Sequence, residues 1–135
     1  MNEFLNYSFK TFISSIHSIA KMNPEYIDSM LTDFNLKMVL EDIDYKMYEA
    51  YNNYLKYRSL FLSTNKNDGG FYTLYKSNME RYYLELNTNY NLFLLYFKIM
   101  NERNLDFYIK SNIKEIERIY LSDEPTLLKR FKKRI

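Results

Sequence analysis

No cysteine occurs in the 135 residues. That excludes disulfides, thiolate nucleophiles and cysteine-based metal sites, and it fits a reducing compartment. Histidine occurs once, at His17, and the residue three before it is Ser14, not a glutamate. The paired Glu-x-x-His pattern of di-metal helical bundles is therefore absent. Glycine and proline occur twice each. So few breakers leave little material for β-turns, and no strand-like alternation persists anywhere. Long apolar runs are missing too. The most apolar window, Leu92 to Met100, holds nine residues with Lys98 inside it, whereas a membrane span needs about 20. At the N-terminus Glu3 stands where a signal peptide would be basic. The expectation is a soluble, cytoplasmic protein with no transmembrane segment.

Motifs for nucleotide and metal chemistry are also lacking. There is no GxxxxGK[ST] and no GxGxxG. The stretch 65–76 matches a calcium loop only at Gly70; it ends on Lys76 where a bidentate glutamate is required. Ser14 and His17 share a helical face, but no strained turn, oxyanion loop or local acid accompanies them, so the pair reads as a helix flank and not as nucleophile and base. Glu41, Asp42 and Asp44 read as a solvated face. The expectation is no catalytic residue, no metal and no cofactor.

What is present is helical periodicity. Leu36, Leu40, Ile43, Met47, Ala50, Tyr54, Tyr57 and Phe61 follow each other at alternating spacings of four and three with no Gly or Pro between. This seam predicts one amphipathic helix of about 39 Å at about 1.5 Å per residue. Leu5, Phe9, Phe12, Ile13, Ile16, Ile19 and Ala20 predict an earlier helix over 3–21. Asn23-Pro24 is a cap-and-start signal for a short helix carrying Ile27, Met30 and Leu31 inward. Asp33 or Asn35 would cap the long helix, 35–63. The polar run 63–70 holds both glycines and predicts a reversal.

Phe71, Tyr75, Met79, Tyr82, Leu86, Tyr90, Phe93, Phe97 and Met100 carry the next seam over 71–100. Asn87, Thr88, Asn89 and Asn91 are weak helix formers and favour a kink there, but the unbroken register argues that the helix continues. Leu105, Ile109, Ile113, Ile116 and Tyr120 predict a helix over 105–120. Ser122 to Pro125 is a restart signal for a short basic helix, 126–135. The fold class is all-α: a single domain, 1–135, built as an antiparallel bundle of four main helices with short extra helices before the second and at the C-terminus.

Charge and aromatics bear on function. The formal net charge is +2, yet Lys129, Arg130, Lys132, Lys133 and Arg134 lie in the last seven positions; without them 14 basic residues face 17 acidic ones. A basic helix with Leu127, Leu128, Phe131 and Ile135 on its apolar side either docks on the bundle or contacts phosphates or an anionic surface. Those five cations are the candidate nucleic-acid or anion contact. The 15 tyrosines and 15 asparagines are what AT-rich codons supply. Tyr45, Tyr48, Tyr51, Tyr54 and Tyr57 recur every third residue, but at about 100° per residue such a row slips by about 60° per step and spirals off any single face. Tyr45 and Tyr48 fall off the core seam and are the candidate partner surface, since exposed tyrosine is favoured at interfaces.

The reading that follows is a non-enzymatic protein–protein interaction module. It would be a small helical adaptor or inhibitor from a phage, virus or mobile element of an AT-rich organism, with a protein partner. The alternatives are a nucleic-acid-binding accessory protein using the basic C-terminal helix, and a self-assembling structural protein, because heptad seams also zip between copies to give a homo-oligomer.

Overall fold

Apolar residues at helical spacing, few β-branched runs and almost no glycine leave helix as the only regular structure that satisfies the backbone here. The structure, a computed structural model, describes residues 2–106 and 111–134, with side chains for 9–106 and 111–123. Among these residues there are five helices and no strand: α1 (Asn2–Met22), α2 (Pro24–Met30), α3 (Asp33–Ser63), α4 (Gly69–Glu102) and α5 (Ile113–Arg134). No helix among the described residues is long and apolar enough to cross a membrane. The chain divides into two compact units, Met1–Tyr45 with Asn89–Ile109 and Lys46–Thr88 with Lys110–Ile135.

In the first unit, Ile13, Ile16 and Ala20 of α1, Ile27 of α2, Leu36, Val39, Leu40 and Ile43 of α3, and Phe93, Tyr96 and Ile99 of α4 are buried. The seam of α3 is buried as its spacing predicts. The stripe of α1 is not wholly so: Phe9 and Phe12 are exposed, and the Leu5 side chain lies outside the described residues. Met30 also points out, leaving Ile27 and Leu31 as the inward residues of that stretch. Asn23 stands at the N-cap of α2 but makes no side-chain cap bond, and Pro24 holds the first turn. The long helix starts earlier than the spacing indicates. Thr32 caps it, its Oγ1 accepting from the Asn35 N–H at 3.0 Å, so neither Asp33 nor Asn35 is the cap. Threonine there satisfies one of the orphan donors of the first turn.

The end of α4 is closed by a Schellman motif. Leu105 N–H donates to the Met100 carbonyl and Asn104 N–H to that of Asn101, both at 3.1 Å, with Asn104 left-handed at φ 56°. The expected helix at 105–120 accordingly begins later, at Ile113. Ser111 Oγ accepts the Ile113 N–H at 3.1 Å there. Ile109 lies outside the described residues.

In the second unit, Met47, Ala50, Tyr51 and Tyr54 of α3, Met79, Tyr83 and Leu86 of α4, and Ile116 and Tyr120 of α5 are buried. Tyr57 and Phe61, the end of the α3 seam, are half-buried. Phe61 pairs with Tyr72, and Tyr57 with Tyr75 and Tyr82, so α3 and α4 run antiparallel within this unit. The link is shorter than the polar run 63–70, because Gly69 and Gly70 already belong to the first turn of α4 and neither has positive φ. Asp68 accepts the Tyr72 N–H there.

One helix continues where its register indicates, and another continues where a restart was expected. No break divides α4 at Asn87–Asn91; Asn87 Oδ1 accepts a bond from the Tyr120 hydroxyl. The helix of α5 likewise continues through Ser122–Pro125, so 126–135 is no separate short helix. Pro125 removes a donor from the preceding turn. The Tyr83 hydroxyl supplies one to the adjacent Tyr120 carbonyl at 3.1 Å. Along α4 the buried face also drifts from the 4/3 seam: Tyr83 and Tyr96 are fully buried while Phe71 and Phe97 are exposed and Tyr82 is half-buried.

Candidate functional site

The residue with most chemical capability is also the one the sequence placed wrongly. His17 is not a helix flank; it is 5% exposed. α1 carries it on the same face as Ile13, Ile16 and Ala20. Its Nε2 lies 2.8 Å from Asp42 Oδ2, on α3, and its Nδ1 2.8 Å from the Tyr96 hydroxyl, on α4. A carboxylate only accepts, so Nε2 donates to Asp42, while Nδ1 is paired with the Tyr96 hydroxyl. Asp42 is thereby removed from the solvated acidic face assigned to it. Ser14 is exposed, and both ring nitrogens are already engaged, so a Ser14–His17 nucleophile–base pair is not assembled.

A tyrosine–histidine–aspartate chain has the connectivity of a proton relay. Its terminal hydroxyl is inaccessible: Tyr96 is fully buried. Burial, and secondarily the nearby Asp42 charge, push the Tyr96 phenol well above its ordinary range. The arrangement holds three helices together by satisfied polar groups and offers no nucleophile to a substrate. Nearby on α1, Lys10, Thr11, Ser14, Ser15, Ser18 and Ile19 line a shallow open groove.

The second unit buries tyrosines against acids. Tyr54 donates to Asp123 Oδ2, which also pairs with Arg58 Nε at 3.0 Å. Tyr51 donates to Glu115 Oε1 at 3.2 Å. Burial first, and the acceptor carboxylates second, raise both phenols above the usual tyrosine value. These bonds join α3 to α5. In the first unit Arg103 forms a corresponding clamp: Nε bonds Asp28 Oδ1 at 3.1 Å, Nη2 the Asp28 carbonyl at 2.6 Å and Nη1 Asp33 Oδ1 at 3.0 Å.

Of the candidate partner surface, Tyr45 is 67% and Tyr48 39% exposed; the Tyr48 ring lies 6.4 Å from that of buried Tyr51. The five cations Lys129, Arg130, Lys132, Lys133 and Arg134 fall on the backbone of α5, and their side chains lie outside the described residues. Other exposed apolar side chains were not legible as such: Tyr26 and Met30 on one face of α2, Phe34 on α3 and Phe71 on α4. Phe71 sits on an apolar seam, and only the packing reveals that the seam has left the core there. No group of three or more His, Asp or Glu side chains suited to a metal ion occurs among the described residues.

Comparison with known proteins finds no matching family model, no matching curated protein and no matching solved structure.

Proposed function

We propose that this protein is a non-enzymatic helical binding module that works through contact with a protein partner, as a small adaptor or inhibitor. The observation that carries this reading is the set of large apolar side chains held out on the first unit: Tyr26, Met30, Phe34 and Tyr45, each more than half exposed. Burying such side chains is worth roughly 1.5–3 kcal/mol each, and rigid aromatic anchors supply most of the energy of a protein interface. This unit holds nine acidic and five basic residues, net −4. Its partner is accordingly a basic protein surface with an apolar pocket. The enclosed His17 chain supports the non-enzymatic side of the proposal. The same reading takes the four longer helices, α1, α3, α4 and α5, as an antiparallel bundle, and a phage, virus or mobile element of an AT-rich organism as the source.

Affinity capture from the host of origin tests it, with the native protein beside a Tyr26→Ser/Met30→Ser variant. A partner retained by the native protein and lost with the variant, at unchanged helicity, is the expected result. Turnover of a substrate by the repurified protein, or capture unaffected by the substitutions, would sink the proposal.

A second reading has its own support. The other unit holds fourteen basic and eight acidic residues, net +6, five of the fourteen lying within 129–134. Opposite charge on the two units fits an anionic polymer engaged by the basic one, giving a nucleic-acid-binding accessory protein with salt-sensitive affinity.

A further inference from the structure

The tyrosine row along α3 spirals off any single face, but pairing with α4 builds a different row across the two helices. Phe71 stacks on Tyr75 with ring centroids 6.0 Å apart. Tyr75 meets Tyr57 at 6.5 Å, and Tyr57 lies parallel to Tyr82 at 5.5 Å and 8°. None of these four rings is in the buried core, and Phe71, at the end of the row, is 62% exposed. Two exposed cations sit over the row: Lys56 Nζ is 5.4 Å from the Tyr57 centroid and Arg81 Cζ 5.0 Å from that of Tyr82. Arg81 also pairs with Glu85 at 3.5 Å, both side chains well exposed. Such a surface pair is weak enough for a phosphate to displace.

We propose that this ladder is a stacking site for single-stranded nucleic acid. Bases stack on the outer face of Phe71 and on the Arg81 guanidinium, and the Lys56 and Arg81 charges meet phosphates. The chemistry selects a single strand, because only unpaired bases present their π-faces to exposed side chains; a duplex hides them. The net charge of +6 on this unit supplies the complementary field. The inference rests on the nucleic-acid reading given above and adds the site and the kind of strand.

Fluorescence anisotropy with the whole protein tests it. The probes are a labelled oligothymidylate of about 12 nucleotides and a duplex of the same length, within the span single-strand folds cover. Titrations at roughly 50 and 200 mM salt give the charge dependence. The native protein binds the single strand in preference to the duplex. Phe71→Ala weakens it roughly tenfold, in the range of one lost base stack. Lys56→Gln/Arg81→Gln lowers the salt slope by about 1.4, at about 0.7 per phosphate contact on a single strand. All three side chains are exposed or half-buried, and circular dichroism verifies that each variant stays helical. Salt-sensitive binding that these variants leave unchanged overturns the ladder while preserving the nucleic-acid reading. Equal affinity for duplex, or capture of a protein through Phe71 in place of nucleic acid, also overturns the ladder. No binding to either probe at low salt overturns both.

Discussion

His17 is held from two sides, by a carboxylate and by a hydroxyl, and that fixes what its removal does. His17→Leu takes one partner from a fully buried hydroxyl and one from a half-buried carboxylate. The expected loss is about 2–3 kcal/mol in urea unfolding, because orphaned buried polar groups lose hydration without replacement. Tyr96→Phe removes only the hydroxyl partner of Nδ1 and is expected to destabilise by about 1–2 kcal/mol. The double variant should lose less than the sum of the two, by about 1 kcal/mol. Strict additivity would show that the bond between ring and hydroxyl contributes nothing. None of this was legible in the sequence: Asp42 and Tyr96 lie 25 and 79 residues from His17, and no local pattern announces a partner so far along the chain.

At the scale of the element, helix ends and interruptions were the least legible features. Asn87–Asn91 and Ser122–Pro125 carry real local preferences against helix, yet α4 and α5 run through them. Tyr120 occupies the Asn87 amide, and Tyr83 serves a carbonyl next to the one that Pro125 deprives. The glycines give a sharper test. Both Gly69 and Gly70 have helical backbone, and a Cβ at either position meets nothing within 4 Å. Neither is needed for a turn, so Gly69→Ala and Gly70→Ala should each stabilise by about 0.5–1 kcal/mol, chiefly by restricting the unfolded chain. Thermal melting checks this; a fall in Tm for either variant would mean that the first turn of α4 needs glycine after all.

The whole molecule is rich in tyrosine, and the buried part of that set ties stability to pH. Tyr51, Tyr54 and Tyr96 have phenols raised above the ordinary value of 10.0, by burial first and by neighbouring carboxylates second. The folded chain therefore keeps protons that the unfolded chain releases above about pH 10. Their contribution to stability is complete below that pH and is lost as pH rises beyond it. Urea midpoints should be flat with respect to these groups from pH 8 to about 10 and should fall above it. Tyrosinate absorbance should show at least these three phenols ionising only with unfolding. If all 15 tyrosines ionise in one reversible step while the helices persist, the buried hydroxyl–carboxylate bonds are not formed. Sedimentation at high concentration separates the self-assembling alternative from the binding readings, since a monomer there excludes it.

Composition and periodicity by themselves determined the class of structure and the α3 core. Residues such as Leu36, Leu40, Ile43, Met47 and Tyr54 are buried because their spacing leaves a helix no other economical way to hide them. Only the tertiary structure decided which polar groups are buried together and where an apolar seam parts from the core. His17 finds Asp42 and Tyr96, Phe71 is left outside, and Tyr57 joins Tyr82 across two helices. The physical reason is range. Helical periodicity is set by neighbours three and four residues away, whereas hydrogen bonds and ring stacks between helices are settled by whatever element packs opposite.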